Sequence, residues 1–156
     1  MRLSGRSAFI TGAAKGIGLS VAKAFSKEGA TVALADMSGD EAIRQASEIE
    51  AETGNKALGV ECDVADKQSV ENAIEETVEA FGTIDTLACM AATMTARHDV
   101  VDLSEEDWDR TLRVNVTGSF FACKYVIPLM RKAGRGSIIL TASQMGQVAW
   151  PGSTAY

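Results

Sequence analysis

The run Ile10-Thr11-Gly12-Ala13-Ala14-Lys15-Gly16-Ile17-Gly18 constrains this chain more than any other stretch. An apolar segment, Ser7-Ala8-Phe9-Ile10, leads into it, and Ile17, Val21, Ala24 and Phe25 follow at the spacing of an apolar helical stripe. The glycines therefore sit where a strand turns into a helix. There Gly12 permits a tight turn, Gly16 lets backbone approach a ligand, and Gly18 lets the helix press on its strand. The free N–H groups and positive dipole end of that helix suit an anion, and a pyrophosphate is the natural occupant. The plain alternative is a glycine-rich turn that binds nothing.

The rest of the chain repeats the same alternation. Thr31 to Ala35 is a nearly continuous apolar run, as in a strand covered on both faces, and it ends at Asp36. Ser38-Gly39-Asp40-Glu41 has the form of a capping box for a helix whose inner face is Ala42, Ala46 and Ile49. Lys56 to Cys62 reads as a third strand, followed by a helix from near Asp66 with Val70, Ile74, Val78 and Phe81 inward and a stop at Gly82. A fourth strand spans residues 84–90, and the loop beyond it holds His98, read as solvated. Ser104 caps a long helix through Trp108, Leu112 and Val116, with a bend near Gly118 and Phe120, Cys123, Val126, Ile127 and Met130 inward. Ser137 to Thr141 is the fifth strand.

This βαβαβαβαβ order requires a parallel sheet with helices on both faces. The expected fold is α/β: a Rossmann-type, doubly wound sheet in the order 3-2-1-4-5, with its crevice at the carboxyl ends of strands 1 and 4. The 156 residues fit one domain, without repeats or linkers. A net charge of −6 with no Lys/Arg run argues against nucleic acid or an anionic membrane as partner. No apolar run reaches the length of a membrane span, and Met1 to Gly5 leaves no room for a signal sequence. Cys62, Cys89 and Cys123 are too far apart for a zinc site or disulfide framework and read as small buried residues. The expectation is a cytoplasmic protein with no metal.

Asp36 lies about 20 residues past the glycines, where a carboxylate can accept both hydroxyls of an adenosine ribose and repel a 2′-phosphate. That favours NAD over NADP, although the Lys15 ammonium could reach a phosphate. Asp63 and Val64 end the third strand near the expected adenine, as an acceptor for its amine and a surface for its ring. A plain strand-end turn is the competing reading there.

Thr11-Gly12-x-x-x-Gly16-Ile17-Gly18, Asp63-Val64, Asn115 in Asn115-Val116-Thr117-Gly118, Ser143, and Tyr156 thirteen residues later together resemble the classical short-chain dehydrogenases/reductases. The match runs along the whole chain in order. The resemblance implies an NAD(P)-dependent oxidoreductase interconverting a secondary alcohol and a ketone, with small-molecule substrates. Tyr156 would be the general acid/base, Ser143 would hydrogen-bond the substrate oxygen, and Asn115 would hold a water relay at a helix kink. It also implies a lysine four residues beyond Tyr156, because a phenol with an ordinary pKa of about 10 needs a neighbouring ammonium to act near neutrality. The sequence stops at Tyr156. The corresponding expectations are an N-terminal portion of a longer enzyme, a sheet incomplete at its C-terminal side, and a homodimer or homotetramer in the full-length form.

One departure from the family pattern lies after strand 4. Cys89-Met90-Ala91-Ala92 stands where the family carries Asn-Asn-Ala-Gly, so two amides that could tie strands together are replaced, and Ala92 adds a methyl beside the cofactor ribose. Backbone of Ala91 and Ala92 is expected along the cofactor. Gln144, Met145, Gln147 and Trp150 are expected to face the substrate. Two other functions compete with the enzyme: a dinucleotide-binding module without turnover, and a scaffold that binds no NAD. Substrate identity and reaction direction are not encoded in these residues.

Overall fold

A computed structural model describes residues 1–94, 98–148 and 150–156. Five parallel strands lie in the order β3-β2-β1-β4-β5: β1 (Ser7–Thr11), β2 (Thr31–Asp36), β3 (Ala57–Glu61), β4 (Thr86–Cys89) and β5 (Ser137–Leu140). This is the doubly wound order that the alternation of elements requires. The helices between them are α1 (Gly16–Lys27), α2 (Gly39–Thr53), α3 (Lys67–Phe81), α4 (Glu105–Leu112) and α5 (Gly118–Ala133). A π-helical turn, Arg113–Thr117, joins α4 to α5, and a short 3-10 turn, Gln144–Gly146, follows β5.

The sheet splits the core into two apolar layers. One packs Phe9, Val60, Ile84 and Leu87 under α3 and α5; the other packs Ile10, Val32, Leu34 and Ile49 under α1 and α2. Alternate residues of each strand face opposite layers, which is why β1 and β2 are apolar almost throughout. At the N-terminal end of the strands, the buried Asp85 carboxylate accepts hydrogen bonds from Ser7 N (3.2 Å) and Thr86 Oγ1 (3.1 Å). Arg135 Nη2 lies 2.8 Å from its other oxygen and also donates to Gly5 O at 3.0 Å, while Arg6 approaches to 3.7 Å. Strands 1, 4 and 5 are pinned together there, opposite the end that carries the crevice.

Several local expectations are corrected. In α1 the buried stripe is Gly18, Ala22 and Ser26, not Ile17 and Ala24; Ile17 is 74% exposed because Gly18, one residue on, is what meets the sheet. Ser38 begins α2 without a side-chain cap, since Glu41 turns instead to Arg44 and Gln45. In α5 Phe121, not Phe120, points inward: Phe120 is 58% exposed and Phe121 8%. Val126 and Met130 are buried as expected, so the difference is confined to the first turn of α5, directly after the π turn. Trp108 and Val116 are likewise exposed. The cap at Ser104 forms as expected, its Oγ accepting from Asp107 N at 3.1 Å, and α3 ends at Gly82 with φ 81°.

Candidate functional site

A cavity of about 550 Å³ opens at the carboxyl ends of β1, β2, β3 and β4. Its floor is the glycine turn. Gly12 takes φ +65°, and a Cβ there would stand 2.7 Å from the Cα of Ala91; a Cβ on Gly18 would stand 2.2 Å from the carbonyl oxygen of Gly12. Only hydrogen at these two positions lets the turn lie against the loop after β4 and lets α1 start directly beneath it. Lys15, at the helix N-cap, supplies no side-chain acceptor to the first turn of α1. Those N–H groups, with no intrahelical partners, form the positive end of the helix.

Asp36, 8% exposed, ties this floor to β2. Its Oδ2 accepts from Ala14 N at 3.0 Å and its Oδ1 from Ser38 N at 3.0 Å. Each carboxylate oxygen retains a second lone-pair direction for a ligand hydroxyl. Met37, 72% exposed, stands at the rim beside it. The far wall is the turn after β3: Asp63 Oδ1 accepts from Ala65 N (2.9 Å), Asp63 N donates to Ser69 Oγ (2.9 Å), and Val64 is 7% exposed. On the other side Thr11 Oγ1 accepts from both Met90 N (3.1 Å) and Ala91 N (3.2 Å), fastening the loop after β4 to the glycine turn.

The replaced amides after β4 leave a different tie: Thr141 Oγ1 donates to Met90 Sδ at 2.9 Å. No non-glycine residue has a positive φ among the described residues, so the methyl of Ala92 introduces no left-handed strain. Burial, with the charges of Asp63 and Asp36, pushes the Cys62 thiol up to about 12; burial and the neighbouring Cys123 push Cys89 up to about 11. Cys123, half-buried, is also raised by burial. All three stay protonated at neutral pH.

Of the residues expected at a cofactor, Gly12, Lys15, Ile17, Gly18, Asp36, Asp63, Val64, Ala91 and Ala92 line the cavity, and Gly16 does not. None of Asn115, Ser143 and Tyr156 lines it. Asn115 sits in the π turn with its amide used at both ends: Oδ1 accepts from Thr93 N (2.8 Å) and Nδ2 donates to Thr93 O (2.9 Å). Its side chain therefore holds the loop after β4. Ser143 heads the 3-10 turn, its Oγ accepting from Met145 N at 3.2 Å, and Tyr156 is 40% exposed. Both follow β5 in the chain. His98 is exposed, but its backbone N donates to Gly152 O at 3.1 Å and it forms a parallel bridge with Ser153.

Sequence reasoning passed over Arg110 and Val114, which reach the cavity from α4 and the π turn, and Thr93, which sits directly after Ala92. Thr93 was within reach of the argument, because any loop that runs beside a ligand involves its next residue. Arg110 and Val114 carry no local signal, since only the tertiary path of the helix brings them there.

A sequence model described as short chain dehydrogenase matches residues 6–156. D-threitol dehydrogenase of Mycolicibacterium smegmatis is 38% identical over 155 residues, covering 99% of this chain and 59% of that protein. Sorbitol dehydrogenase of Cereibacter sphaeroides is 38% identical over 148 residues, covering 94% and 56%. Among solved structures, NAD+-bound xylitol dehydrogenase superposes with a TM-score of 0.95 at 33% identity, over 100% of this chain and 60% of that one. The chain thus spans a little under two thirds of the relatives it matches.

Proposed function

Since the chain belongs to the short-chain dehydrogenase family, we propose that it forms the dinucleotide-binding part of an oxidoreductase interconverting a secondary alcohol and a ketone, with NAD as the hydride carrier. The observation that carries the reading is the cavity bounded by the glycine turn, Asp36 and the turn at residues 63–65. Its parts fit a dinucleotide. The first turn of α1 offers N–H groups to the diphosphate. Asp36 faces the adenosine ribose with a negative charge that disfavours a 2′-phosphate, and Glu61 stands next to it across the β2–β3 pair. Val64 and Met37 supply apolar surface for adenine. NAD, when bound, supplies the hydride acceptor at its nicotinamide ring.

The protein's own part in the chemistry is assigned to residues beyond β5. Tyr156 takes the proton of the substrate carbinol, and Ser143 donates a hydrogen bond to the same oxygen. Asn115 contributes through its backbone and through the π turn it stabilises, because both ends of its amide are bound to Thr93. The names of the relatives make linear polyols the first substrates to try.

The test is a titration with NAD and NADP, followed by an assay for reduced nicotinamide with threitol, sorbitol and xylitol. The reading expects NAD to bind more tightly than NADP, and Asp36→Asn to narrow that difference. Absence of NAD binding would refute it. NAD binding without turnover on any alcohol would favour a binding module, a reading that the placement of Ser143 and Tyr156 outside the cavity keeps in play.

A further inference from the structure

The turn at residues 63–66 walls the cavity on the side assigned to adenine, yet the hydrogen bonds its backbone makes to the side chains of Asp63 and Ser69 are exposed to solvent. Exposed backbone bonds of this kind open readily. Two contacts from the π turn and the start of α5 reach this wall. Arg113 Nε donates to Ala65 O at 2.7 Å, across 48 positions of sequence, and its guanidinium lies 5.3 Å from the ring centroid of Phe121. The ring holds the guanidinium in place, and a charged donor makes a stronger hydrogen bond than a neutral one. Gly118 makes the second contact: a Cβ there would stand 2.8 Å from Val64 Cβ and 2.9 Å from Val64 Cγ2. Val64 therefore rests directly on the backbone of the first residue of α5. Between them, Asn115 grips both backbone groups of Thr93.

We propose that Arg113 and Gly118 are positioning residues for the cofactor: they brace the adenine-side wall, and the π turn links that wall to the loop carrying Ala91, Ala92 and Thr93. The proposal rests on the dinucleotide reading given above. Neither residue touches the ligand. Arg113 holds the turn in its binding conformation before the nucleotide arrives, so the ordering cost is not charged to binding. Gly118 lets the Val64 side chain reach the depth at which it forms the wall.

The experiment is calorimetric titration of the purified protein with adenosine monophosphate and with NAD, for the parent, Arg113→Ala, Arg113→Lys and Gly118→Ala. Amide hydrogen exchange is read in parallel. Arg113→Ala should weaken both ligands by roughly tenfold, the equivalent of one charged hydrogen bond. Arg113→Lys should come within roughly twofold of the parent, since an ammonium still donates to the Ala65 carbonyl. Exchange should quicken at residues 63–66 and stay unchanged in β1 and β2. Gly118→Ala should weaken the nucleotide in the same way, by displacing Val64; Arg113, being exposed, tests the idea even where the glycine variant fails to fold. Unchanged affinity in Arg113→Ala, no restoration by lysine, or exchange quickened across the whole sheet would overturn the proposal. A parent that binds neither ligand would remove the dinucleotide reading itself, and this proposal with it.

Discussion

The middle of the sheet and its β5 side are built differently. Every residue of β1 is buried and all but the first of β2, whereas every residue of β5 is exposed, Leu140 to 60%. On the first side, glycine contacts, Asp36 and Thr11 lock the crevice from within. On the second, backbone pairing with β4 places the strand, and Ser143 and Tyr156 follow it on lightly packed chain. The contrast separates two tasks. On the proposed reading, holding a dinucleotide would fall to residues already clamped by the core, and aligning a substrate oxygen to residues that pack more lightly.

The sharpest way to break this contrast is at Gly18. Gly18→Ala drives a methyl into the Gly12 carbonyl, and overpacking of that kind should lower stability by about 3 kcal/mol in urea unfolding and abolish NAD binding. Asp85→Asn acts at the opposite end of the strands. It removes the charge facing Arg135 and should cost about 2 kcal/mol, with NAD affinity unchanged because the crevice lies at the other end. A loss of affinity there would mean the two ends are coupled.

The buried thiols give a smaller, pH-dependent effect. Cys62 and Cys89 are raised from 9.0 to about 12 and about 11, so the unfolded chain ionises them first. Their contribution is whole below pH 9 and is lost as pH rises through 11 and 12. Unfolding midpoints should fall by the equivalent of about 1 kcal/mol per pH unit per thiol once above pH 9, less the share that solvent screens. Thiol-specific reagent at neutral pH should modify Cys123 well before the other two. Last, Leu140→Lys on β5 should change stability by no more than about 0.5 kcal/mol, because the side chain is already 60% exposed.

Much of the fold was legible in the sequence because it rests on local signals that agree with one another. The strand order follows from the alternation of apolar runs and amphipathic stripes, and the cap at Ser104 and the stop at Gly82 follow from residue type alone. What escaped was non-local. Just after the π turn Phe121 is buried where Phe120 was expected, although Val126 and Met130 further along α5 are buried as the spacing implies. Ile17 looked like a core position until Gly18 took the sheet contact. Asn115 was legible as a special position, but its partners Thr93 N and O are 22 residues away and could be found only in three dimensions. The cavity at the glycine turn was therefore more readable than the surroundings of Ser143 and Tyr156, since a glycine turn and a strand-end carboxylate carry their geometry with them.

The most direct test is to follow backbone amide resonances while NAD is titrated. The account predicts that the largest shifts fall on Gly12, Gly16 to Gly18, Asp36 to Ser38, Val64 and Ala91, with Gln45, Thr77 and the Asp85 end of the sheet silent. Shifts centred away from the glycine turn, or no shift at the start of α1, would contradict it.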